Sequence, residues 1–201
     1  MKIAILVEGK TEKAFMPSLR SFLNSRLQQM PKLKPITYDG RIPKKDKLKR
    51  VVENLLTGKE AYDAVIALTD VYTGTNDFID AADAKAKMAA WVGDNPKFFP
   101  HAAQYDFEAW LLPFWSTIQE LAKHNKSVPG NQPEKVNHDK PPAKHIQEIF
   151  ENGKCRDSYV KPRDAKRILE GKDLGVAAAV CPELKAFINT ILALCVGELI
   201  D

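Results

Sequence analysis

The stretch Met1-Lys2-Ile3-Ala4-Ile5-Leu6-Val7-Glu8-Gly9-Lys10-Thr11-Glu12 decides how the rest of the chain is read. Lys2 to Val7 is an apolar run long enough for one buried strand and too short for a helix. It stops at Glu8-Gly9. Thr11 reads as a helix N-cap, and Ala14, Phe15, Leu19, Phe22, Leu23 and Leu27 follow at helical spacing. The stretch is therefore strand, tight turn, helix, with a carboxylate at the carboxyl end of the strand. That end is where ligands of open parallel sheets bind.

Working outward, Ala64 to Thr69 is the clearest buried strand, and it runs straight into Asp70. Phe98 to Tyr105 is a third strand despite Pro100, and it runs into Asp106-Phe107-Glu108. Ile36 to Tyr38 reads as a short strand after the connection marked by Pro31 and Pro35. Helices are expected over Glu12–Gln29, over Lys47–Leu56 with a stop near Gly58, and over Asp80–Val92 with a stop at Gly93. Strand and helix alternate, so the fold class is α/β: a mostly parallel four-stranded sheet flanked by helices. Ala109–Ala122 reads as a helix bent at Pro113, and His124–Pro142 as an irregular loop. The remainder reads as helices over Ala143–Phe150, Arg163–Leu169, Leu174–Val180 and Glu183–Leu199. Residues 1–122 are thus expected to form the α/β core, with 123–201 a helical elaboration packed on it as one domain.

The composition, 44% hydrophobic and 28% charged over 201 residues, is that of a soluble globular chain. No apolar run reaches the roughly 18 residues of a membrane span, and Lys2 is followed by only five apolar residues before Glu8. A cytoplasmic protein with no membrane partner is expected. Cys155, Cys181 and Cys195 are far apart without metal-site spacing, which fits reduced thiols. The net charge of +4 is mild, but Arg41, Lys44, Lys45, Lys47, Lys49 and Arg50 cluster, and a second basic stretch runs from Lys123 to His145. Such stretches read first as solvated faces and second as holds for a phosphate backbone.

Parallel strands gather Glu8, Asp70, Asp106 and Glu108 on one edge. Each alone reads as a turn acid. Together, from three strands, they repel unless a cation sits among them. Oxygen-only ligands select Mg²⁺ or Mn²⁺, and such sites serve phosphoryl transfer or phosphodiester hydrolysis. Glu12 reads either as a further member or as a first-turn acid favourable to the helix dipole. Lys10 reads either as a phosphate contact or as an exposed turn lysine. Asp77 reads as a cap or a solvated acid rather than a ligand. Trp91, Trp110 and Trp115 read as core rather than as stacking platforms. His101 reads as structural, and His124, His138 and His145 as surface residues near phosphate. No Gly-x-Gly-x-x-Gly or Walker A loop is present in the sequence.

Three motifs in order resemble the Toprim fold: Glu8-Gly9-x-Thr11-Glu12, Asp70-Val71-Tyr72-Thr73-Gly74, and Asp106-Phe107-Glu108-Ala109. More closely, the chain resembles a Toprim-like bacterial family of unknown function related to the nucleases of the overcoming-lysogenization-defect (OLD) group. Pro133-Glu134-x-Val136-Asn137, Pro142-Ala143-Lys144, Tyr159-x-Lys161-Pro162 and Ile168-Leu169-x-Gly171-x-Asp173-Leu174 extend the resemblance along nearly the whole chain.

The resemblance implies a metal-dependent nuclease. Glu8 would be ligand or acid/base, and Asp70 the first member of an Asp-x-Asp metal pair. Asp106 and Glu108 would supply a second metal position. Lys161 or Lys166 would be the assisting base, with Glu8, Asp70 and Lys161 as the catalytic set. Where that pair has its second acid this chain has Tyr72, which removes one ligand. Lys10, Lys44, Lys45 and Lys144 would hold nucleic acid. The setting implied is bacterial anti-phage defence beside a separately encoded AAA or ABC-type ATPase, with a homo-oligomer left open. The alternative is a catalytically inactive Toprim module acting as a regulatory or nucleic-acid-binding partner of an ATPase.

Overall fold

The computed structural model describes residues 1–38, 40–72, 75–137, 140–153 and 158–201. Thr73, Gly74, His138 and Cys155 therefore lie outside the described residues. Strands β1 (Lys2–Val7), β2 (Lys32–Thr37), β3 (Ala64–Asp70) and β4 (Phe98–Ala103) form one parallel sheet in the order β2-β1-β3-β4. Helix α1 (Lys10–Asn24) joins β1 to β2, α2 (Asp46–Thr57) joins β2 to β3, and α3 (Ala81–Val92) joins β3 to β4.

Alternation along the strands feeds two cores. Ile3, Ile5, Val7, Ile66 and Leu68 pack with Phe15, Leu19, Phe22 and Leu23 of α1. Ala4, Leu6, Val65 and Ala67 pack with Leu48 and Val52 of α2 and with Met88 and Val92 of α3. A sheet covered on both faces needs strands that are apolar throughout, which is why β1 and β3 read as continuous runs. Because α1 covers one face while α2 and α3 cover the other, the winding reverses between β1 and β3. That reversal opens a crevice at their carboxyl ends, where Glu8 and Asp70 stand.

The second half of the chain thickens the α1 face. A 3₁₀ segment (Phe107–Phe114) leads into α4 (Trp115–Ala122), followed by α5 (Pro142–Asn152), α6 (Lys161–Leu169), α7 (Leu174–Ala178) and α8 (Pro182–Leu194). Their apolar residues join the core of β1, β3 and α1. An aromatic knot ties the layers: Phe187 of α8 stacks on Trp110 at 6.0 Å, and Phe15 meets Phe107 edge-on at 5.5 Å. Trp110 and Trp115 are buried, and Trp91 is half-buried against Phe78.

Several boundaries differ from the sequence reading. Thr11 is not the N-cap of α1; Gly9 is, in an extended conformation (φ −157°), and Thr11 is already helical. α1 ends at Asn24 rather than Gln29. β2 starts at Lys32, ahead of Pro35, because an edge strand needs no ladder donor on its outer side. Pro100 lies in β4, the other edge strand, for the same reason. The segment after Asp106 is 3₁₀ through Pro113 before it becomes α-helical. α8 stops at Leu194, where Val196 turns left-handed (φ 55°), five residues short of the expected Leu199. No helix among the described residues is long and apolar enough to cross a membrane. Cys181 and Cys195 are free thiols.

Phe187 is 1% exposed and contacts Trp110, Phe15 and His101. Phe187→Ala is expected to cost about 3–5 kcal/mol in a urea titration, displacing the unfolding of the whole chain rather than of the C-terminal helices alone.

Candidate active site at the carboxyl edge of the sheet

The register Val7↔Leu68 between β1 and β3 sets the first contact. One step further on, Glu8 lies beside Thr69, whose hydroxyl donates to Glu8 Oε1. Asp70 closes β3, one residue on. Helix α1 starts immediately after Gly9, so Glu12 falls in its first turn. The Glu12 carboxylate accepts from the backbone N–H of Gly9, the returning half of a capping box. Glu12 thus caps its own helix and faces the other acids at once. On the far side Ala103 pairs with Asp70, and the chain then turns through Tyr105, left-handed at φ 67°. Asp106 and Glu108 follow. Three strand ends and one helix start bring five carboxylates to one place, and Glu8, Glu12, Asp106 and Glu108 are buried.

Their partners come from the helical half. Asp106 Oδ2 accepts from the backbone N–H of Ala143 in the first turn of α5 at 3.2 Å. Asp106 Oδ1, also buried, has no hydrogen-bond partner among the described residues. Glu108 is 1% exposed. It accepts from the Tyr159 hydroxyl at 3.2 Å and is paired with the Lys161 ammonium at 3.1 Å through Oε1. Lys161 is the first residue of α6. That helix start is fixed by the fully buried Asp164, which accepts from the Val160 N–H at 2.8 Å and pairs with Arg163 and Arg167.

Crowding acids out of water makes their ionisation costly. Burial, reinforced by Glu12, raises Glu8 to about 7 against the stabilising hydrogen bond of Thr69. Burial and the Glu108 charge raise Asp106 to about 8, with Lys161 and Ala143 opposing. Glu12 is raised by burial and by Glu108. Asp70 is pushed well up, first by loss of water and then by the four other acids. For Lys161, burial disfavours the ammonium, but Glu108 and Asp106 outweigh it and hold it charged. Tyr159 is driven strongly upward by burial and the same carboxylates, so it stays a phenol and a donor.

The donor set is all oxygen, the choice of a hard cation. Among the described residues no three His, Cys, Asp or Glu side chains close around a common point. As placed, the described side chains form no ready-made metal cage of three or more such ligands. Mg²⁺ and Mn²⁺ need less: one or two carboxylates, with water and phosphate completing the shell. The donorless Oδ1 of Asp106 and the mutual repulsion of the five acids fit such an open site.

Of the residues singled out in the sequence, Glu8, Glu12, Asp70, Asp106, Glu108 and Lys161 are brought together. The others are spread. Lys10 is exposed at the start of α1. Lys44 is ion-paired with Asp77, so Asp77 is neither a cap nor a member of the acid group. Lys45 is exposed and left-handed (φ 51°). Lys144 is exposed on α5, beside the Ala143 that touches Asp106, and donates to Gln147 at 3.3 Å. Lys166 is exposed on α6, away from the Glu108 pair that Lys161 makes. His145 is buried in α5 rather than on the surface, because its face of the amphipathic helix carries Ile146, Ile149 and Phe150 inward. His101 is buried, hydrogen-bonded to Thr190 at 2.9 Å. The sequence reading names neither Thr69 nor Tyr159 as a site residue, and takes Arg41 only as part of the basic cluster. Strand register would have found Thr69. Arg41, whose charge favours the ionised form of Glu8, lies in the loop that Gly40 ties to the Glu8 carbonyl at 3.1 Å.

The model of a family described as "Domain of unknown function (DUF4276)" matches residues 7–192. In structure the chain is similar to the C-terminal region of the Burkholderia pseudomallei OLD protein. The TM-score is 0.52 and the identity 13%, over 94% of this chain and 98% of that one. It is also similar to the C-terminal region of the Xanthomonas campestris pv. campestris OLD protein, with a TM-score of 0.47 and 16% identity over 96% of each chain. No curated protein matches. At 13% identity the likeness to the Burkholderia pseudomallei region is one of fold.

Raised carboxyl pKa values have a thermodynamic signature. Glu8 titrates near 7 in the folded chain and at 4.5 as a free carboxyl. The native state keeps a proton that the unfolded chain releases. Stability from this group is full below the lower value and is lost as pH rises through the upper one. Glu8→Gln keeps an acceptor for Thr69 and needs no proton. In chelator, its stability relative to wild type should improve by roughly 1–3 kcal/mol between about pH 5.5 and about pH 8.5, read from urea unfolding at both pH values. A pH-independent difference would remove the charge-crowding account.

Proposed function

The chain belongs to the DUF4276 family, and on that footing we propose that it is a divalent-metal-dependent nuclease hydrolysing phosphodiester bonds of nucleic acid. The observation that carries this reading is the convergence of five carboxylates at the sheet's switch point, with Asp106 Oδ1 left without a hydrogen-bond partner among the described residues. Glu8, Asp70 and Glu108 are the carboxylates of which one or two would hold Mg²⁺ or Mn²⁺, with Asp106 and Glu12 in support. The cation, when bound, would lower the pKa of a water and offset charge on the phosphate. Glu8 would serve either as a ligand of the cation or as acid/base toward the attacking water. Lys161, half exposed, can leave Glu108 for a phosphate oxygen. Arg41, Lys44, Lys45, Lys10 and Lys144 supply positive charge around the edge for the backbone. The setting we propose is cytoplasmic anti-phage defence beside a separately encoded AAA or ABC-type ATPase.

Tyr72, standing where a second acid of the Asp70 motif would be, favours a second reading. In it the domain has lost its chemistry and regulates an ATPase partner or binds nucleic acid. Metal binding separates the two. Titration calorimetry with Mn²⁺ and Mg²⁺ is expected to give binding by the wild type that Asp70→Ala abolishes. Glu8→Ala should then remove cleavage of a nucleic-acid panel without lowering the melting temperature. A wild type that binds neither ion would sink the nuclease reading and leave the regulatory one.

A further inference from the structure

Beside the acid group, at the same edge of the sheet, lies a cleft of about 770 Å³, within the roughly 300–1,000 Å³ usual for ligand sites. It is bounded by Asp80 and Ala81 at the start of α3, Gln104 and Tyr105 beyond β4, Gln132, and Glu183 at the start of α8. Only Tyr105 separates its Gln104 wall from Asp106. Tyr105 holds a left-handed backbone (φ 67°), a conformation that a bulky side chain adopts at a cost. The turn sends successive residues different ways: Tyr105 lines the cleft and Asp106 joins the acids. The ring of Tyr72 packs against that of Tyr105 at 5.2 Å and 50°, and the Tyr72 N–H donates to the Tyr105 carbonyl at 2.7 Å. Tyr72 follows Asp70 by two residues and is 43% exposed. Tyr105 of this pair lines the cleft, Tyr72 packs on its ring, and each is one or two residues from an acid of the group.

We propose that this cleft and its tyrosine pair take the base of an unstacked nucleotide, so that the substrate is a single-stranded nucleic acid whose adjoining phosphate lies over the acid group. The inference rests on the nuclease reading and adds the strand form to it. The cleft's own charge says which part of a nucleotide it accepts. Asp80, Glu134 and Glu183 line it against Lys135, with Lys85 neutralising Glu183. With Lys135 as the one cation among its described lining residues, and Glu134 taken up by the Trp110 indole and the N–H groups of Glu183 and Leu184, the cleft offers little hold for a phosphate and suits a neutral base with amino groups. Gln132 and the amide nitrogen of Gln104, whose Oε1 already accepts from the Ala81 N–H at 2.9 Å, add polar groups for a base edge. An aromatic face supplies sequence-tolerant stacking. A base inside a duplex reaches such a place only by leaving its stack, which a single strand does at little cost. On this account Tyr72 is a substrate contact, and its presence where a metal ligand would stand is a change of task.

The test is fluorescence anisotropy in Ca²⁺, which supports binding without cleavage, using a labelled 12-nucleotide single strand, as DNA and as RNA, and the matching duplexes. Wild type is expected to bind one of the single strands more tightly than its duplex. Tyr105→Gly, which suits φ 67°, and Tyr72→Ala should each weaken that binding by roughly five- to hundredfold, while Tyr105→Phe and Tyr72→Phe retain it. Duplex affinity equal to single-strand affinity, or single-strand affinity unmoved by both truncations, overturns the proposal. The Mn²⁺ titration of the wild type reads the nuclease site separately, so a protein that binds metal but shows neither preference nor tyrosine dependence loses this inference alone.

Discussion

Five carboxylates held together at the edge of one sheet repel one another, and much of the second half of the chain is arranged against that repulsion. Lys161 sits on Glu108, Tyr159 donates to it, and the start of α5 donates to Asp106. Gly9 donates to Glu12, and Thr69 to Glu8. Each of these groups is delivered by a different element. Asp164, buried under α6, exists in this scheme to hold the helix start that carries Lys161. What these contacts leave uncompensated is concentrated on Asp70 and Asp106. The protein has tolerated this cost at one place, and such concentrated strain marks functional sites more often than structural ones.

The sheet explains why the acids meet where they do. With α1 on one face and α2 and α3 on the other, the winding reverses at the carboxyl ends of β1 and β3, where Glu8 and Asp70 stand. The helical half then builds a wall mainly on the α1 side, reaching α3 through the Lys85–Glu183 pair. The opposite rim carries Arg41 and Lys44, with Asp77 between them as their internal counter-charge. The crevice thus has cations on both sides and acids on its floor.

Much of this was legible in residues 1–12, 64–70 and 98–108, because buried parallel strands are apolar throughout and end abruptly at an acid. The four-stranded α/β class and the order of elements follow from that pattern. What was not legible depended on contacts between distant segments. Thr69 becomes a partner of Glu8 only through a one-residue register between β1 and β3. His145 is polar in sequence and buried in fact, because helix α5 rotates it inward with Ile146 and Ile149. The 3₁₀ course of Phe107–Phe114 has no separate signature from a bent helix containing Pro113. Lys161 could be noticed from the motif around it, but its pairing with Glu108 joins positions 53 residues apart.

Pro35 and Pro100 occupy the two outermost strands. A proline there interrupts the row of amide donors that an edge strand would otherwise offer to another polypeptide. Extension of the sheet by a second molecule, whether as an ordered dimer through strand addition or as the first step of fibrous aggregation, is disfavoured at both margins. Self-association of this protein would have to be built from its helices, leaving the strand ends that carry the acids pointing outward in every copy.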